Sequence, residues 1–236
     1  MRDIFGKALM AFYKGDPTPC NIQRDDGYTG QQDLAVYFRA YEDWPDHEKK
    51  AFEYVRGRVL DIGCGAGRHS LYLQEKNFEV VAVDASPLAV EVTRLRGVKD
   101  CRVMSALQLD FAPKSFDTVL LIGNNFGITG NVEDTKKLLN ALSELTTRSA
   151  RIITSCRNPT QTNKREHLAY HNLNRGRGRP IGQITIRTEY KGELDDWFDL
   201  LMVEPEVMAE ICAQAHWGVE TLFESEDTYY SVLTKQ

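Results

Sequence analysis

The chain has 236 residues, 42% of them hydrophobic and 27% charged, with a formal net charge of −5. That length buries a substantial core and accommodates a stand-alone enzyme, while no window approaches the run of roughly 18 apolar residues that a membrane span requires. The opening Met1-Arg2-Asp3-Ile4-Phe5-Gly6 does not read as an export signal, and the acidic total argues against broad nucleic-acid binding. A cytoplasmic protein with no membrane partner is the expectation.

After a polar, turn-rich start around Lys14-Gly15-Asp16-Pro17, the stretch from Gln31 to Arg56 carries Leu34, Tyr37, Phe38, Tyr41, Phe52 and Val55 at helical spacing. It predicts two helices broken at Trp44-Pro45, and residues 1–56 read as an N-terminal helical cap. From Arg58 the pattern becomes strand and helix in alternation. Val59–Ile62 is a short apolar strand, a helix follows from about Gly67 to Lys76, Glu79–Asp84 is a second strand, and Ser86-Pro87 opens the next helix. Strands at 101–106, 116–122 and 150–155 and a helix over 132–147 continue the alternation, which implies a parallel sheet covered on both faces. Residues 183–191 and 197–203 read as a hairpin inside an insertion of about 157–203. A helix over 204–216 and two final strands near 219–223 and 229–233 close the chain, so the last strand is expected to run antiparallel. The five cysteines, at 20, 64, 101, 156 and 212, have neither disulfide nor metal-ligand spacing.

The chemistry concentrates in Asp61-Ile62-Gly63-Cys64-Gly65-Ala66-Gly67-Arg68, placed between a strand and a helix. Alternate glycines let the backbone turn tightly and approach a ligand without Cβ interference. Asp84 ends the following strand, where a carboxylate can accept both hydroxyls of a ribose. A nicotinamide dinucleotide is the competing ligand, but its fingerprint wants glycine at the sixth position, here Arg68, and Asp61 would repel a pyrophosphate. S-adenosylmethionine has no phosphate and carries a sulfonium and an ammonium, so an acid near the turn favours it.

Val59-Leu60-Asp61-Ile62-Gly63-Cys64-Gly65-Ala66-Gly67, followed by Val83-Asp84-Ala85-Ser86, resembles motif one and its successor in class I S-adenosylmethionine-dependent methyltransferases. The resemblance implies an α/β, doubly wound, Rossmann-like fold: a seven-stranded, mostly parallel sheet within residues 57–236. It further implies S-adenosylmethionine as cofactor, with Gly63 and Gly65 along its methionine part and Asp84 on its ribose. The expected cofactor set is Asp61, Gly63, Cys64, Gly65, Arg68, Asp84, Ala85, Ser105, Ala106 and Gly123, and no metal. Ser105-Ala106 departs from the family's usual acid followed by a small residue at the adenine, which leaves Gln108 or Asp110 as substitutes for Ser105. Asn124 after the fourth strand, with His167, Tyr170 and His171 in the insertion, are the catalytic candidates, the histidines and tyrosine as bases for an alcohol or phenol acceptor.

Residues 148–191 hold ten Lys/Arg against two Asp/Glu, including Arg175, Arg177 and Arg179. Such a segment suits an anionic small-molecule acceptor, and equally an RNA or protein substrate. The leading expectation is a small-molecule acceptor. The alternatives are methylation of RNA or protein through the basic segment, and a cofactor-binding module without catalysis.

Overall fold

A computed structural model describes residues 2–236. The elements in chain order are α1 (Ile4–Tyr13), β1 (Cys20–Arg24), β2 (Thr29–Gln32), α2 (Asp46–Phe52), β3 (Val59–Ile62), α3 (Arg68–Glu75), β4 (Val80–Asp84), α4 (Pro87–Leu95), β5 (Asp100–Val103) and β6 (Phe116–Leu121). They continue with α5 (Val132–Leu145), β7 (Thr146–Arg157), α6 (Arg165–Gly176), β8 (Gln183–Tyr190), β9 (Glu193–Leu194), β10 (Phe198–Leu201), α7 (Pro205–Gln214), β11 (Trp217–Ser225) and β12 (Thr228–Lys235). The larger sheet has seven strands in the order β11-β12-β7-β6-β3-β4-β5. β3 pairs parallel with β4, β4 with β5 and β6 with β7, whereas β12 runs antiparallel to both β7 and β11. This is the mostly parallel seven-stranded α/β fold with an antiparallel final strand that the sequence implies. No helix among the described residues is long and apolar enough to cross a membrane.

The chain divides into two compact units. The first comprises residues up to Trp44, Arg58–Leu109 and Thr185–Phe198. Strands β3 and β4 are buried along most of their length, as expected for parallel strands covered on both faces. α1 packs on α4 through Ile4, Ala8 and Leu9, with Leu34, Ala66, Ala89, Val92 and Tyr190 completing this core. Ser86 caps α4 by accepting the Ala89 amide at 2.9 Å, and Pro87 occupies its first turn.

The second unit comprises Pro45–Gly57, Asp110–Ile184 and Asp199–Gln236. Its centre is β7 against β12, with Trp217 fully buried and its indole donating to the Leu139 carbonyl at 3.1 Å. Asn131 caps α5 through the Asp134 amide at 2.9 Å. Within α6, Asn174 is completely buried and donates to the carbonyls of Ile181 and Gln183 at 3.1 and 2.7 Å, which fixes the turn after the helix.

Three segments depart from the sequence expectation. The apolar spacing of residues 31–56 comes from two 3-10 turns, Leu34–Tyr37 and Tyr41–Asp43, ahead of α2, and not from two full helices. Asp33 opens the first of these turns, its carboxylate accepting the Ala35 amide at 2.9 Å. The N-terminal segment also holds α1 and the strand pair β1–β2, which join β8 and β10 in a second sheet ordered β10-β8-β1-β2 with β9 on β8. Part of the basic segment is the helix α6, which turns Tyr170, His171 and Asn174 inward.

Gly127 sits where an added Cβ would stand 1.9 Å from the Leu201 carbonyl oxygen. Gly127→Ala should therefore lower stability by about 2–3 kcal/mol, read as a fall in the urea midpoint with an unchanged m-value.

Candidate active site

The turn after β3 runs through three glycines in the left-handed region, Gly63, Gly65 and Gly67, at φ 72°, 57° and 74°. Gly63 and Cys64 both donate backbone N–H bonds to the Val83 carbonyl, at 2.8 and 3.1 Å, so the turn is stitched to β4 as it forms. Gly67 then caps α3. A side chain is excluded there twice, by the backbone angle and by Thr93, whose Cγ2 would lie 2.7 Å from a Cβ. Thr93 also donates its hydroxyl to the Gly65 carbonyl at 2.8 Å.

Asp84 stands at the end of β4, half-buried, with both carboxylate oxygens oriented by backbone. The Gly65 amide donates to Oδ2 and the Ser86 amide to Oδ1, each at 2.9 Å. Burial is the largest influence and pushes its carboxyl up to about 6, helped by the charges of Asp3 and Asp61 and opposed by the two amide bonds. Asp61 is buried and accepts the Ser70 hydroxyl at 2.6 Å. Burial raises the Asp61 carboxyl too, against the pull of His69, Ser70 and Arg68.

Several contacts around the turn were not anticipated by the sequence. The ring of Tyr37 lies over Gly65, 3.3 Å from where a Cβ would be. Burial and the nearby Asp84 charge hold its hydroxyl protonated, with the Arg68 charge acting the other way. Arg96, at the end of α4, donates to the carbonyls of Ala66 and Tyr37 and lies over the Phe38 ring at 4.9 Å. Arg68, first in α3, is held over Trp44 at 5.0 Å, and Trp44 in turn meets His69 edge-on at 4.8 Å. Nothing local in the sequence announces these approaches, because each joins segments more than twenty residues apart.

The remaining expected residues of the first unit lie as follows. The Cys64 side chain points into the core with Ala82, Val90, Val98 and Cys101, its sulfur 3.8 Å from the Thr93 hydroxyl, and burial pushes its thiol well up. Only its backbone is therefore presented by the turn. Ala85 is exposed beside Asp84. Ser105 is exposed and its Oγ accepts the Leu107 amide at 3.3 Å, with Ala106 in the same turn, and Val103 and Leu107 expose apolar side chains on either side. The first unit thus brings together Asp61, Gly63, Gly65, Arg68, Asp84, Ala85, Ser105 and Ala106 at the strand ends.

Gly123, Asn124, His167, Tyr170 and His171 belong to the second unit. Gly123 donates to the Ser155 hydroxyl at 2.8 Å, and Asn124, at φ 71°, accepts the Arg157 amide on its side-chain oxygen at 2.7 Å. Asn124 thus turns the chain and holds the end of β7. His167 sits with Nδ1 3.1 Å from the Thr162 hydroxyl, and Tyr170 and His171 are buried on the inner face of α6.

A glycine turn after the first strand of a parallel sheet, an acid ending the second, and a strand order reversing at β3 and β6 define a Rossmann-like nucleoside-binding fold. Residues 59–148 match a family model described as a methyltransferase domain. A solved S-adenosylmethionine-dependent methyltransferase of Bacteroides fragilis, in complex with S-adenosyl-L-homocysteine, is 28% identical and aligns over 99% of this chain and 94% of its own, with a TM-score of 0.83. A methyltransferase structure from Methanosarcina mazei shares the fold at 16% identity and a TM-score of 0.65, over 78% of this chain and 95% of its own. A ubiquinone biosynthesis O-methyltransferase of Xylella fastidiosa (strain 9a5c) is 32% identical over 75 residues, which are 32% of this chain and 28% of that protein. The chain thus spans under a third of the length of this curated relative. Together these likenesses support a class I S-adenosylmethionine-dependent methyltransferase, with the methyltransferase domain at residues 59–148.

Gly67→Ala should cost about 2 kcal/mol through the left-handed backbone and the clash with Thr93. Adding Thr93→Ser, which removes the clashing methyl, should recover part of that loss in thermal denaturation; no recovery would mean that the Thr93 contact is not limiting.

Proposed function

We propose that this protein binds S-adenosylmethionine in the first unit and transfers its methyl group to an oxygen of a small-molecule acceptor. The observation that carries the reading is the Asp84 carboxylate, placed by the Gly65 and Ser86 amides at the strand ends beside three left-handed glycines. Two backbone bonds leave it lone pairs for two ribose hydroxyls. The exposed Val103 and Leu107 flank Ser105 and supply the apolar surface that an adenine ring would cover, with Ser105 as its polar partner. Tyr37 over Gly65 and Arg68 at the start of α3 suit the amino-acid end, Arg68 by countering its carboxylate. The residues present therefore fit the cofactor. When bound, it supplies a methyl group on a sulfonium, a good leaving group, so that in-line displacement needs alignment and dryness more than covalent help.

For an acceptor hydroxyl the chain must also take a proton. His167, Tyr170 and His171 are the proposed candidates, His167 with its ring oriented by Thr162. The names of the curated relatives support oxygen as the acceptor atom. An anionic acceptor is supported by the basic composition of residues 148–191, although much of that charge is used within the fold. Arg151 pairs with Glu220, Arg157 with Asp227, Arg179 with Asp199 and Lys191 with Asp16, and Arg187 lies over Trp197 at 4.3 Å. A segment neutralised this far favours a small acceptor over a polyanion, and no separate observation favours RNA or protein.

Incubation with methyl-labelled S-adenosylmethionine and a cell extract should place label in the small-molecule fraction, and Asp84→Ala should abolish it. Label chiefly in nuclease- or protease-sensitive material would overturn the acceptor class, and binding with no label anywhere would leave a binding module.

The raised Asp84 carboxyl sets a pH window as well. Ionising this group costs the cofactor-free protein stability as the pH rises from 3.8 to about 6, and ribose hydroxyls favour the ionised form. Affinity for S-adenosyl-L-homocysteine, measured by calorimetry, should hold above pH 7 and fall towards tenfold per unit below about 6. A flat profile from pH 5 to 8 would exclude Asp84 as the ribose acid.

A further inference from the structure

One carboxylate, Asp3, serves the starts of two helices. Its Oδ1 accepts the Gly6 amide of α1 at 3.0 Å and the Ser86 hydroxyl at 2.7 Å. Its Oδ2 accepts the Leu88 amide of α4 at 3.0 Å and lies 2.9 Å from the same Ser86 hydroxyl. An ordinary N-cap serves the orphan amides of its own helix, whereas most of the bonds of Asp3 go to the other one. The remaining free amides of α1, those of Ile4 and Phe5, are met by Asp195 at 3.1 Å.

Ser86 is the link to the site. Its hydroxyl binds Asp3 and accepts the Ala89 amide, while its backbone amide donates to Asp84 Oδ1. A continuous hydrogen-bonded line therefore runs from the N-terminal helix through Asp3 and Ser86 to Asp84. The line has no slack: a Cβ on Gly6 would stand 2.4 Å from both Asp3 Oδ1 and Ser86 Oγ.

We propose that Asp3 is a positioning residue of the cofactor site, holding Ser86 and Leu88 so that the Asp84 carboxylate faces the ribose, and that cofactor affinity thereby depends on the seating of α1. The inference rests on Asp84 being the ribose acid. Asp3 also acts through its charge: the charges acting on Asp84 are those of Asp3 from the start of α1 and Asp61 from β3, while Tyr37 from the 3-10 turn and Cys64 from the glycine turn face it and are themselves raised by its charge. Both aspartates raise the Asp84 carboxyl.

The test is calorimetric titration of S-adenosyl-L-homocysteine into the full chain, wild type against Asp3→Asn and Gly6→Ala, from pH 5 to 8. Asp3→Asn removes the charge and at least one acceptor, and should weaken binding about tenfold at pH 7.5. It should also move the acid limb of the profile to lower pH, because one of the two charges raising Asp84 is gone. Gly6→Ala improves the intrinsic helix propensity of α1 and keeps every charge, yet should weaken binding several-fold by parting Asp3 from Ser86. A cap that served only the fold would change the melting temperature, leave affinity within twofold and leave the acid limb in place; that result in folded Asp3→Asn overturns the proposal. Should Asp3→Asn fail to fold, Gly6→Ala decides, and unchanged affinity there overturns it equally. A wild-type chain that does not bind the ligand removes the reading of Asp84 and this inference with it, whereas wild-type binding with unchanged variants removes only this inference.

Discussion

The amide of Gly65 donates to the carboxylate of Asp84, and this bond joins the turn after β3 to the end of β4. It forms because the backbone between Asp61 and Arg68 enters the left-handed region at three alternate residues, which turns the amide of the middle glycine towards the neighbouring strand. Asp84 then has a fixed direction before any ligand arrives, and preorganisation of this kind lowers the cost of binding. The surrounding contacts reinforce the same turn. Thr93 holds the Gly65 carbonyl, Arg96 holds the Ala66 carbonyl and Tyr37 covers the turn from outside.

Electrostatically the first unit gathers negative charge at the sheet end. Asp61 and Asp84 are held against burial by hydrogen bonds from Ser70, Gly65 and Ser86, while Asp3 and Asp195 are held by the amides that open α1 and α4. Helix N-termini favour such acids, and the acids satisfy amides that would otherwise lack partners. A cationic sulfonium entering this field meets attraction, whereas a pyrophosphate would meet repulsion.

How much of this was legible in the sequence depends on how local each feature is. The glycine turn, Asp84 and the strand–helix alternation are short patterns in contiguous residues, and the structure has them where the pattern puts them. α1 was missed because Gly6 interrupts its apolar face where Ser86 approaches, a contact that no window around residue 6 contains. β1 and β2 were missed because Asn21, Gln23, Gln31 and Gln32 give neither strand an apolar alternation. α6 misleads by polarity: Leu168 and Leu173 are exposed while Tyr170, His171 and Asn174 are buried, the reverse of what hydrophobic periodicity assumes. Cys64 lies within the cofactor motif, yet its side chain belongs to the core, a distinction that a motif read as letters does not make.

The N-terminal end of α1 is closed by two acids, one three residues into the chain and the other at position 195. The first unit is accordingly assembled from three separated stretches of chain. During synthesis the nascent chain can form β3, β4 and their glycine turn early, but the amides of Ile4 and Phe5 find Asp195 only once that residue has itself left the ribosome. Completion of the first unit thus waits for residue 195, and a chain cut short before it would carry the whole glycine motif beside an N-terminal helix that is only half capped.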